Sequence, residues 1–240
     1  MQHTCGDIMK LETKVVKIYK PEILLCPKCK EKLKYTYTVS NKVVQFTSGK
    51  AVRIKNMGYL CKSCNDGNVY FSQTATKLCF KGYTYSAKTV CMIDYYKNQG
   101  LSRDAICDLL TQKGFYISDR NVDILYKKIQ TYIDNDYDAI IKDCYNRQIE
   151  EFSSIRLSID LITIKEISYV LFYDFYKGDI LTIWKFNGLD DEKLIPTLKP
   201  YLENPAIELV ISVRGYVSKF VPILKSISGE NVKYISYLKF

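Results

Sequence analysis

The sequence predicts an α+β chain of small modules in series: a metal-stapled β module, a bundle of short helices and an α/β module. Three observations lead there. Two C-x-x-C pairs, Cys26 with Cys29 and Cys61 with Cys64, are separated by 31 residues. The hydrophobic pattern is strand-like around them, turns helical from Ser86 and becomes extended again from Ile155. The net charge of +9 is unevenly placed: residues 1–90 carry 16 Lys and Arg against 5 Asp and Glu, residues 91–154 carry 8 against 11, and residues 155–240 carry 11 against 10.

Length and composition set the outer limits. A chain of 240 residues holds one or two domains, and its internal punctuation divides it further. Apolar residues at 47% with charged residues at 25% are globular values. No apolar run reaches the roughly 18 residues that a membrane span needs. The expectation is a cytoplasmic, nucleoid-associated protein without a membrane partner or a small-molecule substrate.

Residues 1–25 hold short apolar runs, Val15 to Ile18 and Ile23 to Leu25, that suit a lead-in strand. The paired C-x-x-C motifs come next. Each pair forms a tight knuckle, and two knuckles bring four thiolates around one ion, so Cys26, Cys29, Cys61 and Cys64 are expected to hold a structural Zn²⁺. A disulfide pair or a redox dithiol uses the same motif. The other cysteines (Cys5, Cys79, Cys91, Cys107, Cys144) show no pairing pattern and no signal peptide precedes them, which favours a reducing compartment and the metal. His3 and Cys5 are weaker ligand candidates. Between the knuckles, residues 33–48 and 51–60 alternate like strands, with turn signals at Ser40-Asn41 and Ser48-Gly49-Lys50. Two knuckles closing a sheet too small to stand without metal make a zinc ribbon, placed at residues 1–82. Val69 to Phe71 and Leu78 to Phe80 read as extended.

From Ser86 the period is helical. Ser86, Ser102 and Ser118 are N-cap residues, and Gly100 and Gly114 are stops, giving three helices in residues 83–133. The third buries Val122, Leu125 and Ile129 and leaves a polar, basic face, the pattern of a helix-turn-helix. On that face Arg120 is placed to pair with guanine, Asn121 with adenine, and Lys127 and Lys128 with phosphates, with Tyr126 beside them. Asp119 and Asp123 set negative charge on the same helix. The basic first module makes a polyanion the expected partner, and double-stranded DNA suits both modules.

Residues 134–154 read as an acidic turn and a linking helix. Beyond them come strands at Ile155–Ile164, Ile167–Phe175 and Asp179–Phe186, the last two joined by a hairpin through Tyr176-Lys177-Gly178. A helix from Asp190, broken at Pro200, a strand at Ala206–Ser212, a helix at Gly215–Ser226 and a strand at Val232–Leu238 complete the order. Three meandering strands followed by helix, strand, helix, strand is the order of an RNase H-like α/β domain, here partial, over residues 155–240.

The succession of a zinc ribbon, "YSAKTVCMIDYYKNQGLSRDAICDLL", "YISDRNVDILYKKI" and "LSIDLITI…YVLFYDFYKGDIL…ELVISVRGYVSKF" resembles insertion-sequence transposases of the DDE type, over most of residues 20–240. The resemblance implies DNA-binding ribbon and helix-turn-helix modules ahead of an RNase H-like domain in which three acids hold two metal ions. Asp160 matches the first acid. Val213 stands where the second belongs, and the third would lie beyond Phe240. A valine offers Mg²⁺ no oxygen ligand, so Mg²⁺ is not expected, and one aspartate cannot build a two-metal clamp. The resemblance therefore implies a DNA-binding protein without strand cleavage or transfer, acting as a homodimer or beside a full-length relative. The alternatives are one part of a split or frameshifted active transposase, and a protein-interaction module left from a decayed one.

Overall fold

The computed structural model of the chain describes residues 15–46, 50–188, 190–212, 217–228 and 233–236. They form a mixed α+β architecture with two sheets and seven helices among the described residues.

The first sheet is built from β1 (Val16–Tyr19), β2 (Lys34–Gln45) and β3 (Ala51–Leu60) in the order β1-β3-β2. The lead-in strand β1 runs parallel to β3, and β2 is antiparallel to it. The turn expected at Ser40-Asn41 does not form. β2 runs on for 12 residues and takes up the polar stretch as register shifts between Tyr35 and Tyr37 and between Thr38 and Ser40. Such bulges bend a strand without ending it. Of the turn signal at Ser48-Gly49-Lys50, positions 48 and 49 lie outside the described residues.

Tyr70 bridges antiparallel to Tyr59, and between the two stretches read as extended the chain makes a short helix, α1 (Gln73–Lys77), with Leu78 as its C-cap rather than the start of a strand. Its N-terminus is fully capped. The Ser72 hydroxyl accepts from the Ala75 N–H at 3.1 Å, and the Glu22 carboxylate accepts from the Gln73 and Thr74 N–H groups and the Ser72 hydroxyl. A distant acid therefore satisfies donors that five residues of helix cannot satisfy themselves. α1 packs Ala75 and Leu78 against Val44 and Ile54 of the sheet.

Helices α2 (Ala87–Asn98), α3 (Arg103–Gln112) and α4 (Asp119–Ile133) follow. Their caps are the three expected serines, accepting from the N–H groups of Thr89, Ala105 and Asn121. Gly100 and Gly114 end α2 and α3 at φ values of 81° and 72°, where a side chain would be strained. α5 (Tyr137–Phe152) then leads into the second sheet.

That sheet contains β4 (Ile155–Ile164), β5 (Ile167–Asp174) and β6 (Ile180–Asn187), then β7 (Ile207–Ser212) and β8 (Lys233–Ser236) after helices α6 (Asp191–Leu202) and α7 (Val217–Ser228). Its order is β6-β5-β4-β7-β8, antiparallel on the β6 side and parallel from β4 to β8. β4 is central and buried along almost its whole length, with Arg156, Ser158 and Asp160 buried on the face opposite Ile155, Leu157, Ile159 and Leu161. Leu157, Ile159 and Leu161 pack with α5, α6 and α7. Ile162 and Ile164 pack with α2, α3 and α4, so the helical bundle lies against one face of this sheet. The segment expected as a linker contributes Ile141, Cys144 and Tyr145 to the core of the other face.

The break expected at Pro200 is absent, and α6 continues to Leu202 with both Pro196 and Pro200 inside it. Leu194, Leu198 and Leu202 are buried, whereas the two prolines are exposed. The carbonyls deprived of a donor therefore face water, which replaces the missing N–H.

Candidate functional site

The four predicted cysteines converge. Their sulfurs all lie within 4.8 Å of one another, with Cys26 to Cys64 at 3.7 Å and Cys29 to Cys61 at 3.5 Å. Tetrahedral coordination at a Zn–S distance of about 2.3 Å separates sulfurs by about 3.8 Å, so the spacing suits one ion. The two knuckles repeat one geometry. Lys30 and Asn65, each directly after the second cysteine of its pair, have φ of 63° and 46°, and their N–H groups donate to the carbonyls of Cys26 and Cys61. The Cys64 N–H points at the Cys61 sulfur at 3.4 Å and holds that thiol down to about 7. Cys64 is pushed up to about 12, first by the Cys29 thiol beside it. Four sulfurs at this spacing need a cation to be thiolates together.

The cage does not stand alone on its ribbon. Cys26 and Cys61 pack with Leu33, Tyr70 and Phe152, the last from the end of α5. The Lys28 ammonium lies 5.4 Å from the Phe152 ring centre and 2.9 Å from Asp66. The Asn68 amide donates to Glu151 at 2.7 Å. Away from this junction the small sheet shows water an apolar and basic surface, with Val16, Ile18, Tyr35 and Tyr37 exposed near Lys20 and Lys34.

The five residues expected to contact DNA divide. Arg120 and Lys127 are exposed on one face of α4, with Ile124 between them. Asn121 is half-buried and donates to the Tyr85 hydroxyl at 3.1 Å. Tyr126 packs on the bundle core, and the Lys128 ammonium lies 4.9 Å from the Tyr132 ring centre. Acids surround the start of α4. Asp123 pairs with Lys97 at 2.8 Å, and Arg103 reaches both Asp119 and Asp123 at 3.7 Å. Burial first, then Asp119, Asp104, Asp108 and Asp123, raise the Cys107 thiol between them.

Asp160 lies on β4 at zero exposure. The Lys77 ammonium of α1, itself 1% exposed, stands 3.6 Å from its carboxylate and 4.9 Å from the Tyr173 ring centre. The face of the sheet that carries Asp160 is covered by α1 and the helical bundle. Val213 lies outside the described residues, as do His3 and Cys5.

Sequence reasoning did not find two residues that matter here. Lys77 is a single lysine beside the apolar run Leu78-Cys79-Phe80, and that isolation is the only local sign that it is buried. Asp94 of α2 is buried and accepts from Gln130 at 2.5 Å, Tyr169 at 2.6 Å, Lys185 at 2.7 Å and Asn98 at 3.0 Å. These bonds tie the bundle to β5 and β6. Asp174, at the β5–β6 turn, accepts from the N–H groups of Tyr176 and Lys177 and also pairs with Arg147.

Fold and site together define a mixed α+β protein with a four-cysteine cage able to hold a metal ion such as zinc. No protein-family model matches the chain, and no curated protein matches it in sequence. Among the described residues no helix is long and apolar enough to cross a membrane.

Proposed function

We propose that this chain is a zinc-stabilised DNA-binding protein of DDE-transposase descent that does not cut DNA. The observation that carries the reading is the order of parts. A four-sulfur cage precedes three serine-capped helices, and these precede a sheet ordered β6-β5-β4-β7-β8 with Asp160 on its central strand. An RNase H-like domain calls for that strand order, and the resemblance calls for an acid at that place. The basic first module supplies the charge that phosphate contacts require.

The absence of cleavage rests on what surrounds Asp160. A catalytic Mg²⁺ needs several oxygen ligands and a path for substrate. Asp160 instead faces an ammonium group inside the protein, and the neighbouring position of the expected set is a valine in the sequence. Lys77 gives the carboxylate a fixed cation in place of a metal.

The test is selection of duplexes from a random-sequence pool by zinc-loaded protein, with Cys61→Ser in parallel. An enriched motif is expected, its affinity falling as salt rises with a slope near −0.9 per phosphate neutralised. The serine variant should lose stoichiometric zinc and the enrichment together. Failure of the zinc-loaded protein to retain any duplex at low salt would overturn the reading.

A further inference from the structure

Two clefts meet on the side of the molecule between the helical bundle, the end of α5 and the β5–β6 turn. One, of about 710 Å³, is lined by Tyr83, Lys128, Tyr132, Ile140 and Leu181. The other, of about 410 Å³, is lined by Phe71, Arg147, Phe152, Tyr176 and Lys177. Lys81 and Asp179 line both and form an ion pair with each other, making a saddle between them.

The charges are arranged so that cations are left over. Asp179 is paired with Lys81, and Asp174 and Glu151 are both paired with Arg147. Lys128 and Lys177 have no carboxylate partner among the described residues. Burial holds the Lys81 ammonium below its usual range; Asp174 opposes this, and Lys177 and Lys128 act in the same direction as burial. Three ammonium groups are therefore close enough to feel one another. The aromatic rings stand beside them: Tyr83 and Tyr132 are half-buried, each with a face or edge on Phe80 and the remainder toward the cleft.

We propose that this continuous groove binds a single DNA strand, with phosphates on Lys128 and Lys177 and unstacked bases against Tyr83 and Tyr132. Cations following a backbone and aromatic faces for stacking are the two elements of single-strand recognition. A duplex keeps its bases stacked inside, so recessed tyrosines gain nothing from it. The alternative surface, the start of α4, has four aspartates about Cys107, which repel phosphate. The inference rests on the DNA-binding reading above but moves the strand contact from the free face of α4 to its opposite flank, where Lys128 lies.

The experiment is fluorescence anisotropy on the full chain with labelled oligo(dT) and, separately, a labelled hairpin duplex. Lys128→Glu combined with Lys177→Glu should weaken oligo(dT) binding by tenfold or more, and Tyr132→Ala should weaken it by roughly tenfold through lost stacking. Tyr132→Ala should leave duplex affinity within about threefold, since a duplex keeps its bases stacked and offers the ring nothing to stack on. Lys177 is exposed, so Lys177→Glu alone serves if the other variants fold poorly. Duplex binding without oligo(dT) binding, or oligo(dT) binding untouched by these variants, overturns the groove assignment and leaves the DNA reading standing. If neither probe binds the wild-type chain at low salt, both fall.

Discussion

Two aspartates are buried at zero exposure on the same side of the five-stranded sheet, and their surroundings differ in kind. Asp94 is held by a tyrosine, a glutamine, an asparagine and Lys185, supplied by three helix and strand elements besides its own helix. Its lysine keeps 26% of its side chain in water. Asp160 faces Lys77, whose side chain is 1% exposed, with an aromatic ring on the lysine's other flank. Burying a carboxylate requires a partner in either case. The first solution shares the charge among many donors at the boundary of two modules. The second encloses a cation with it. A residue type found at the centre of a strand by resemblance thus carries no information about access, because access is decided by what a distant segment places over it.

The largest effect should come from opening the enclosed pair. Asp160→Ala leaves the Lys77 ammonium with no route to water, and breaking a buried pair from one side costs about 3–5 kcal/mol. Urea denaturation followed by tryptophan fluorescence should show that loss as a lower midpoint, and an unchanged midpoint would mean that Lys77 reaches solvent. Asp94→Asn is the milder change. The amide keeps the shape and some of the hydrogen bonds, and Lys185 can turn outward. The expected loss is about 2 kcal/mol, in the range for bonds to a charged acceptor. If Asp94→Asn destabilises more than Asp160→Ala, the contrast between the two sites is reversed.

What was legible in the sequence follows the same division between local and distant. The cage was legible because each knuckle is four residues long and its geometry repeats at Lys30 and Asn65. The helices were legible because Ser86, Ser102 and Ser118 cap donors three positions ahead. The strands at 155–187 came from alternating or continuous apolar residues rich in Ile, Val, Tyr and Phe, and from a hairpin glycine. α1 was missed because five residues show no period, and its cap depends on Glu22, some 50 residues earlier. The turn signal at Ser40-Asn41 yielded to ladder pairing, and Pro200 yielded to a helix whose proline face is solvated. The partners of Asp94 lie 36, 75 and 91 residues away, and that of Asp160 in another module, so no window of sequence contains them.

The smallest expected effect is the sharpest test of the comparison. If the enclosed pair only compensates its own burial, then replacing both members should cost far less than removing one. Lys77→Met keeps a long flexible chain against Tyr173, and Asp160→Leu fills the carboxylate's place beside Ile162 without leaving an acceptor. Replacing a buried pair with apolar groups of similar size is commonly neutral or stabilising, so the double variant should fall within about 1 kcal/mol of the wild type while either single change is clearly weaker. That pattern is a large coupling in a double-mutant cycle. Additive losses would instead mean that Lys77 and Asp160 each serve other neighbours, and that the ammonium does not stand in for a metal at this acid.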